Sequence, residues 1–276
     1  RRTPSRPSVS NFPYIPLDPR GWKMAMGLRP LEWMNWLEVD DHRGGELVEK
    51  QRLLAERRDD VVVLDGCDAP ADELRKEIAR WYAEHRPDIT LARSTNEHPL
   101  VEASRWTQED LVVLERRDTW RLTGAVVCFP SRWDLRSKLG ASLDEIHGPV
   151  PLYQENLSSP TNALFDRLTP ERSFWRLNWT LLDDPSLFQP SVVRRAPGGT
   201  LNEWFFRVER QTLRRLSHTD AVIFTIRTYV ASAAELATRD DSFVSTLLAN
   251  IETAPPDMSE YKGWRGVAEH LASLTH

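Results

Sequence analysis

Cysteine is scarce in this chain: 276 residues carry two, Cys67 and Cys128. Iron–sulfur clusters usually take four thiolates, so the chain by itself does not hold one. The pair is not a Cys-x-x-Cys redox motif either. Cys128 lies in the apolar run Ala125-Val126-Val127-Cys128-Phe129, which points to a buried, reduced thiol. Glycine-rich nucleotide loops are missing, both G-x-G-x-x-G and G-x-x-x-x-G-K-[ST]. Electrons for any redox chemistry would therefore come from a partner. There is no His/Cys/Asp cluster with zinc spacing and no G-x-S-x-G elbow. No apolar run approaches the ~20 residues of a membrane span, and the start lacks the apolar stretch of a secretory signal. A cytoplasmic protein is expected. Neither sign of charge dominates, with 36 basic and 41 acidic residues and a net charge of -5. The basic start, Arg1 to Pro7, is short and proline-rich and reads as part of a flexible leader over residues 1–21, not a nucleic-acid patch.

Eleven tryptophans in a chain that is 40% hydrophobic imply large amphipathic contacts or an aromatic-walled pocket. Helical periodicity runs from Gly45 to Arg58 and from Pro70 to His85. Val61 to Leu64 is a short strand candidate. Leu111 to Glu115 and Trp120 to Phe129 read as a hairpin around Arg116-Arg117-Asp118-Thr119. Short helices follow, one opened by Ser131 and one by the capping box Ser142-Leu143-Asp144-Glu145. Thr161 to Leu168 reads as another. Ser173 to Leu182, Trp204 to Gln211 and Ala221 to Val230 are rich in aromatic and β-branched residues and read as strands. Helices return over Ser232 to Thr238, Ser242 to Glu252 and Tyr261 to Leu274. The order predicts one α+β domain over residues 22–276, with an antiparallel sheet of about five strands. Helices inserted midway would cover one sheet face, with a ligand cavity beneath them.

Two features carry chemistry. The first is Asp144-Glu145-Ile146-His147-Gly148-Pro149-Val150-Pro151, a lone histidine at the end of a short helix, followed by glycine and two prolines. His147 reads either as part of an ordinary helix end or as an axial ligand held on stiff backbone. The other histidines, His42, His85, His98, His218, His270 and His276, lie in polar or loop contexts and read as surface residues. The second feature is polar alternation in the strands. Arg176, Asn178 and Thr180 share a face, opposite Trp175, Leu177 and Trp179. Arg207, Glu209 and Gln211 align, as do Thr225, Arg227 and Tyr229. This is either a solvated face with cross-strand ion pairs or a polar pocket floor.

In order along the chain, the motifs Met26-Gly27-Leu28-Arg29-Pro30-Leu31, Val127-Cys128-Phe129-Pro130-Ser131-Arg132-Trp133 and Glu145-Ile146-His147-Gly148-Pro149 are specific as a set. They continue with Phe174-Trp175-Arg176-Leu177-Asn178-Trp179, Val208-Glu209-Arg210-Gln211-Thr212-Leu213-Arg214-Arg215-Leu216 and Phe224-Thr225-Ile226-Arg227-Thr228-Tyr229. Together they resemble the α-subunit family of haem-dependent oxidative N-demethylase over residues 20 to 270. The resemblance implies a PAS-like, five-stranded α+β fold with flanking helices and a b-type haem on His147. It implies oxidation of a secondary amine such as dimethylamine by O2, releasing formaldehyde. Electrons would come from NADPH through FMN and 2Fe-2S partner subunits, and tetrahydrofolate is a candidate acceptor for the formaldehyde. On this reading Glu209 holds the ammonium, Asn178 donates to bound oxygen, and Trp179 walls the site. Arg132, Arg176 and Arg227 are candidates for the haem propionates. The chain departs from the family pattern at Ser217, where proline is usual, at His218-Thr219-Asp220, and in Val230 to Arg239, which lacks the usual prolines. Two other functions fit less well: a haem gas or redox sensor, for which no output domain follows residue 230, and a haem-free small-molecule binder.

Overall fold

A computed structural model describes residues 12–93, 96–193 and 196–274. The first eleven residues of the expected leader, and His276, lie outside them. Strand β1 (Arg29–Leu31) comes first, followed by helices α1 (Arg43–Glu56) and α2 (Arg58–Val61), strand β2 (Val62–Leu64), and helices α3 (Asp68–His85) and α4 (Pro99–Ser104). The hairpin β3 (Asp110–Arg116) and β4 (Trp120–Val126) leads into α5 (Leu143–His147), α6 (Tyr153–Asn156) and α7 (Ser158–Arg167). Three long strands follow, β5 (Ser173–Leu182), β6 (Phe205–Arg215) and β7 (Val222–Ser232). Helices α8 (Ala233–Ala237), α9 (Phe243–Thr253), α10 (Pro256–Lys262) and α11 (Val267–Ser273) close the order.

Among the described residues the sheet is antiparallel and has seven strands rather than five, in the order β1-β5-β6-β7-β3-β4-β2. The two members beyond five are the three-residue edges, of which β2 is the short strand expected over Val61 to Leu64 and β1 is new. β1 contains Pro30, whose missing N–H an edge position tolerates. The Tyr261 to Leu274 segment is two helices rather than one, because Gly263 and Gly266 adopt φ of 75° and 71° between them. The turn after Pro130 is capped by Asp134, whose carboxylate accepts the Arg136 N–H, rather than by Ser131.

Register sorts the side chains onto two faces. Cross-strand partners share a face, so Phe174, Leu213, Phe224 and Val112 lie on one, here the site face. Trp179, Val208 and Tyr229 lie on the other, the back face. Both faces carry helices, where one had been expected. Leu143 of α5 and Phe165 of α7 pack on the site face with Val112, Leu114, Leu122, Leu213 and Val222. The back face is split between two cores. Leu53, Leu54, Leu74, Ile78 and Tyr82 of α1 and α3 pack on Leu111, Val113 and Ile223. Phe243, Leu247 and Leu271 of α9 and α11 pack on Phe206, Val208 and Tyr229. α3 shows why: Ala71, Leu74, Ile78, Trp81 and Tyr82 recur at helical spacing and are buried on one side. Each such large apolar side chain contributes about 1.5–3 kcal/mol on full burial. The described end of the expected leader is not detached. Phe12, Tyr14 and Leu17 pack against the back-face core, and the Tyr14 hydroxyl donates to Glu38.

Candidate active site

His147 is the last residue of α5, a five-residue helix that cannot stand on propensity alone. Its start is fixed by a complete capping box: Ser142 Oγ accepts from Glu145 N at 3.2 Å and Glu145 Oε2 accepts from Ser142 N at 2.7 Å. Asp144 accepts from Ser158 Oγ at 2.7 Å and Asn162 Nδ2 at 3.3 Å, which ties α5 to α7. Lys138 Nζ donates to the Ile146 carbonyl at 2.9 Å, placing a cation at the negative end of the helix. Gly148 continues the turn with φ -48°, and Val150 N donates to the His147 carbonyl at 2.8 Å. The Gly-Pro-Val-Pro exit is thus a hydrogen-bonded mount.

The imidazole is oriented from two sides. Its Nδ1 lies 2.8 Å from the Leu143 carbonyl, which accepts the Nδ1 proton and leaves the lone pair on Nε2. The Tyr153 ring stacks on it at 4.5 Å and 12°. Nε2 has no hydrogen-bond partner among the described residues. Burial pushes the His147 pKa down, and the Arg176 and Lys138 charges push it further. The neutral, ligand-competent form is therefore favoured.

Arg176, on β5, makes no hydrogen bond or ion pair with any described residue, and its Nε is buried without a partner. Burial lowers its pKa, and the nearby Glu209 charge opposes that shift. Asn178 and Glu209 are register partners on the same face, as are Arg176 and Gln211. Glu209 is buried, and its Oε2 accepts from Asn178 Nδ2 at 3.2 Å and Gln211 Nε2 at 2.9 Å. Its Oε1 has no hydrogen-bond partner among the described residues. The site face thus offers a histidine nitrogen, an unpaired guanidinium and one free carboxylate oxygen. Arg176 lies near enough to act electrostatically on both His147 and Lys262.

Three expected members lie elsewhere. Arg227 pairs in register with Arg210, on the back face, because the alternation of β7 is offset by one from that of β6. Its two terminal nitrogens are already engaged there, by Asp40 Oδ2 at 2.7 Å and Glu46 Oε2 at 2.9 Å. Trp179 also faces the back, stacked on Trp264 at 4.8 Å. Arg132 sits in the left-handed region at φ 62° and is held by Asp183 and by Gln189 Oε1 at 3.1 Å. It is a clamp on the connection after β5, as is Arg207, which donates to the carbonyls of Phe129, Ser186 and Leu187.

The other histidines differ from their surface reading in two places: His98 Nδ1 caps α4, and His85 packs between Trp33 and Trp81. Sequence reasoning also passed over Tyr153, Lys138 and Lys262. Their roles come from contacts across the fold, and no local pattern signals them. A cavity of about 530 Å³, lined by Arg43, Leu47, Gln51, Arg105 and Trp106 among others, contains none of the His147 set.

Among the described residues no three His, Cys, Asp or Glu side chains converge as a metal site. A metal at His147 would have to bring most of its own ligands, as a porphyrin does. The guanidinium and the carboxylate beside it suit the acidic groups of such a cofactor and a cationic substrate. The model of the family described as haem-dependent oxidative N-demethylase, alpha subunit-like, matches residues 27–272, and the chain belongs to that family.

Proposed function

We propose that this chain is the haem-carrying subunit of an oxidative N-demethylase that acts on a small secondary amine of the dimethylamine type. The observation that carries the reading is His147: Nδ1 fixed on a backbone carbonyl, Nε2 without a partner, and an uncharged ring favoured, all within a haem-dependent family. His147 would hold the iron and Arg176 a propionate, since its buried Nε and free guanidinium are a donor set in want of an anion. Arg132 and Arg227 are engaged by carboxylates and are not carried forward as propionate ligands. When bound, haem supplies oxygen activation by single-electron steps.

The protein residues do the rest. A dialkylamine is a cation at neutral pH, and Glu209 Oε1 is the free anionic oxygen that receives it. Two amide donors on Oε2 hold that carboxylate in one orientation. Asn178 keeps a second N–H that can donate into the site. The overall change consumes the amine, O2, two electrons and two protons, and yields the primary amine, formaldehyde and water. The ammonium held on Glu209 is one source of a proton. NADPH is the proposed electron donor, through FMN and 2Fe-2S groups on partner subunits, and tetrahydrofolate is a candidate acceptor for formaldehyde. The inner sheet with its covering helices is read as PAS-like.

The test is an optical spectrum of the purified protein with haem, followed by dimethylamine and a reductant under air. A Soret band and formaldehyde release are expected. A chain that takes up no haem overturns the reading. A Soret band without formaldehyde turns it to a gas or redox sensor.

A further inference from the structure

Lys262 ends α10, and Gly263 behind it adopts φ 75°, so the chain turns away at once. The Lys262 Nζ donates to the Trp179 carbonyl at 2.8 Å, on the part of β5 that β1 does not pair. It also reaches Asn178 Oδ1 at 3.5 Å, a charge-assisted contact at the outer limit of hydrogen bonding. No carboxylate lies within salt-bridge distance of it among the described residues. On its other side Asn178 donates from Nδ2 to Glu209 Oε2.

These contacts make a chain of fixed polarity. An amide has one acceptor end and one donor end. With its oxygen toward Lys262 and its NH2 toward Glu209, both ends of Asn178 are matched. Flipped, it would set NH2 against an ammonium and a carbonyl against a carboxylate. The Trp179 carbonyl anchors the ammonium, and the ammonium orients the amide.

We propose that Lys262 is a positioning residue: anchored on the Trp179 carbonyl of β5, it locks the Asn178 amide so that its donors serve Glu209 and the site, leaving Glu209 Oε1 to receive the substrate ammonium. The proposal rests on the amine-oxidising reading for its last clause alone. In this role the effect of Lys262 passes through Asn178. Its own low-dielectric surroundings push its pKa down to about 8, with burial as the main cause. The charges acting on it are Glu209 and Arg176, and Tyr261 is its neighbour on α10.

The first measurement needs no cofactor. The side-chain amide signals of Asn178, identified by their loss in Asn178→Asp, are recorded by NMR. Lys262→Met should shift them, and Lys262→Arg, which keeps a charged donor, should restore them. Should Lys262→Met fail to fold, raising the pH of the wild-type protein through about 8 should move the same signals as Lys262 loses its proton. Signals that stay in place in Lys262→Met, or across that pH range, overturn the inference. The second measurement is titration of the haem-loaded protein with dimethylammonium. Lys262→Met should bind about tenfold more weakly, the scale of one charge-assisted hydrogen bond, with an unchanged Soret band. Unweakened binding in Lys262→Met overturns the link to substrate. A haem-loaded wild type that ignores dimethylammonium overturns the amine reading instead, and the amide signals still decide the role of Lys262.

Discussion

At the scale of single residues, His147 and Glu209 carry separable tests. His147→Ala should lose most bound haem while keeping its cooperative unfolding, since the ring is half-buried and the helix is held by its cap and by Asp144. The Soret absorbance and a thermal melt of the same sample check this, and full haem retention would remove His147 as ligand. The pH dependence follows from the sign of its shift. Burial holds the folded pKa below the ordinary imidazole value of roughly 6.5, so the neutral ring persists at and above that pH. Haem retention should be flat above it and fall only in more acidic solution. Glu209→Gln should keep the Soret band and bind dimethylammonium at least about tenfold more weakly, because a neutral amide replaces the free carboxylate oxygen. An unchanged amine titration would take Glu209 out of the site.

At the scale of elements, two arginines two strands apart have opposite fates because of register. Arg176 projects from β5 to the site face without a partner, whereas Arg227 projects from β7 to the back face between Asp40 and Glu46. Arg176→Met should leave stability within about 1 kcal/mol of wild type, since it breaks no ion pair, but should weaken haem binding. Arg227→Met leaves two partly buried carboxylates without their cation and should lose about 2–3 kcal/mol by urea denaturation, with haem affinity per folded molecule unchanged. Equal stability losses in the two variants would contradict the face assignment. The element boundaries themselves were largely legible. Period-two alternation marked β5, β6 and β7, helical spacing marked α1 and α3, and the Ser142 capping box marked the start of α5. β1 was not, because three residues that include a proline carry no pattern until β5 pairs with them. Nor was the break between α10 and α11, where glycines inside a helical pattern can be tolerated or can end it.

At the scale of the whole molecule, α1 and the start of β3 bury a charged network between them. Lys50 Nζ donates to the carbonyls of Thr107 and Glu109 and lies 3.6 Å from Asp110 Oδ1, with both side chains fully buried. Glu109 is buried too; its Oε1 accepts from Glu38 N at 2.8 Å, and its Oε2 has no hydrogen-bond partner among the described residues. Burial pushes its pKa from 4.5 up to about 7. The folded state therefore binds a proton that the unfolded chain has already released, and stability falls as pH rises from about 4.5 to about 7. Glu109→Gln should remove that slope, with a gain of roughly 2–3 kcal/mol over wild type above neutral pH and little gain near pH 4.5. Urea denaturation of both proteins at acid and slightly alkaline pH checks it, and parallel pH profiles would contradict the burial argument.

The sequence by itself determined the kinds of element, the α+β class, the placement of His147 at a helix end and the family. Each of these is written in local spacing or in an ordered set of motifs. Only the tertiary structure decided which alternating residues meet. Arg176, Asn178, Glu209 and Arg227 had looked like one polar face because each strand was read against its own alternation. The cross-strand register sets the phase between strands, and that phase sends Arg227 to the back face, which Trp179 already occupies by the alternation of β5 itself. It also took the packed fold to bring Tyr153 onto His147 and Lys262 onto Asn178, contacts between segments that share no local pattern.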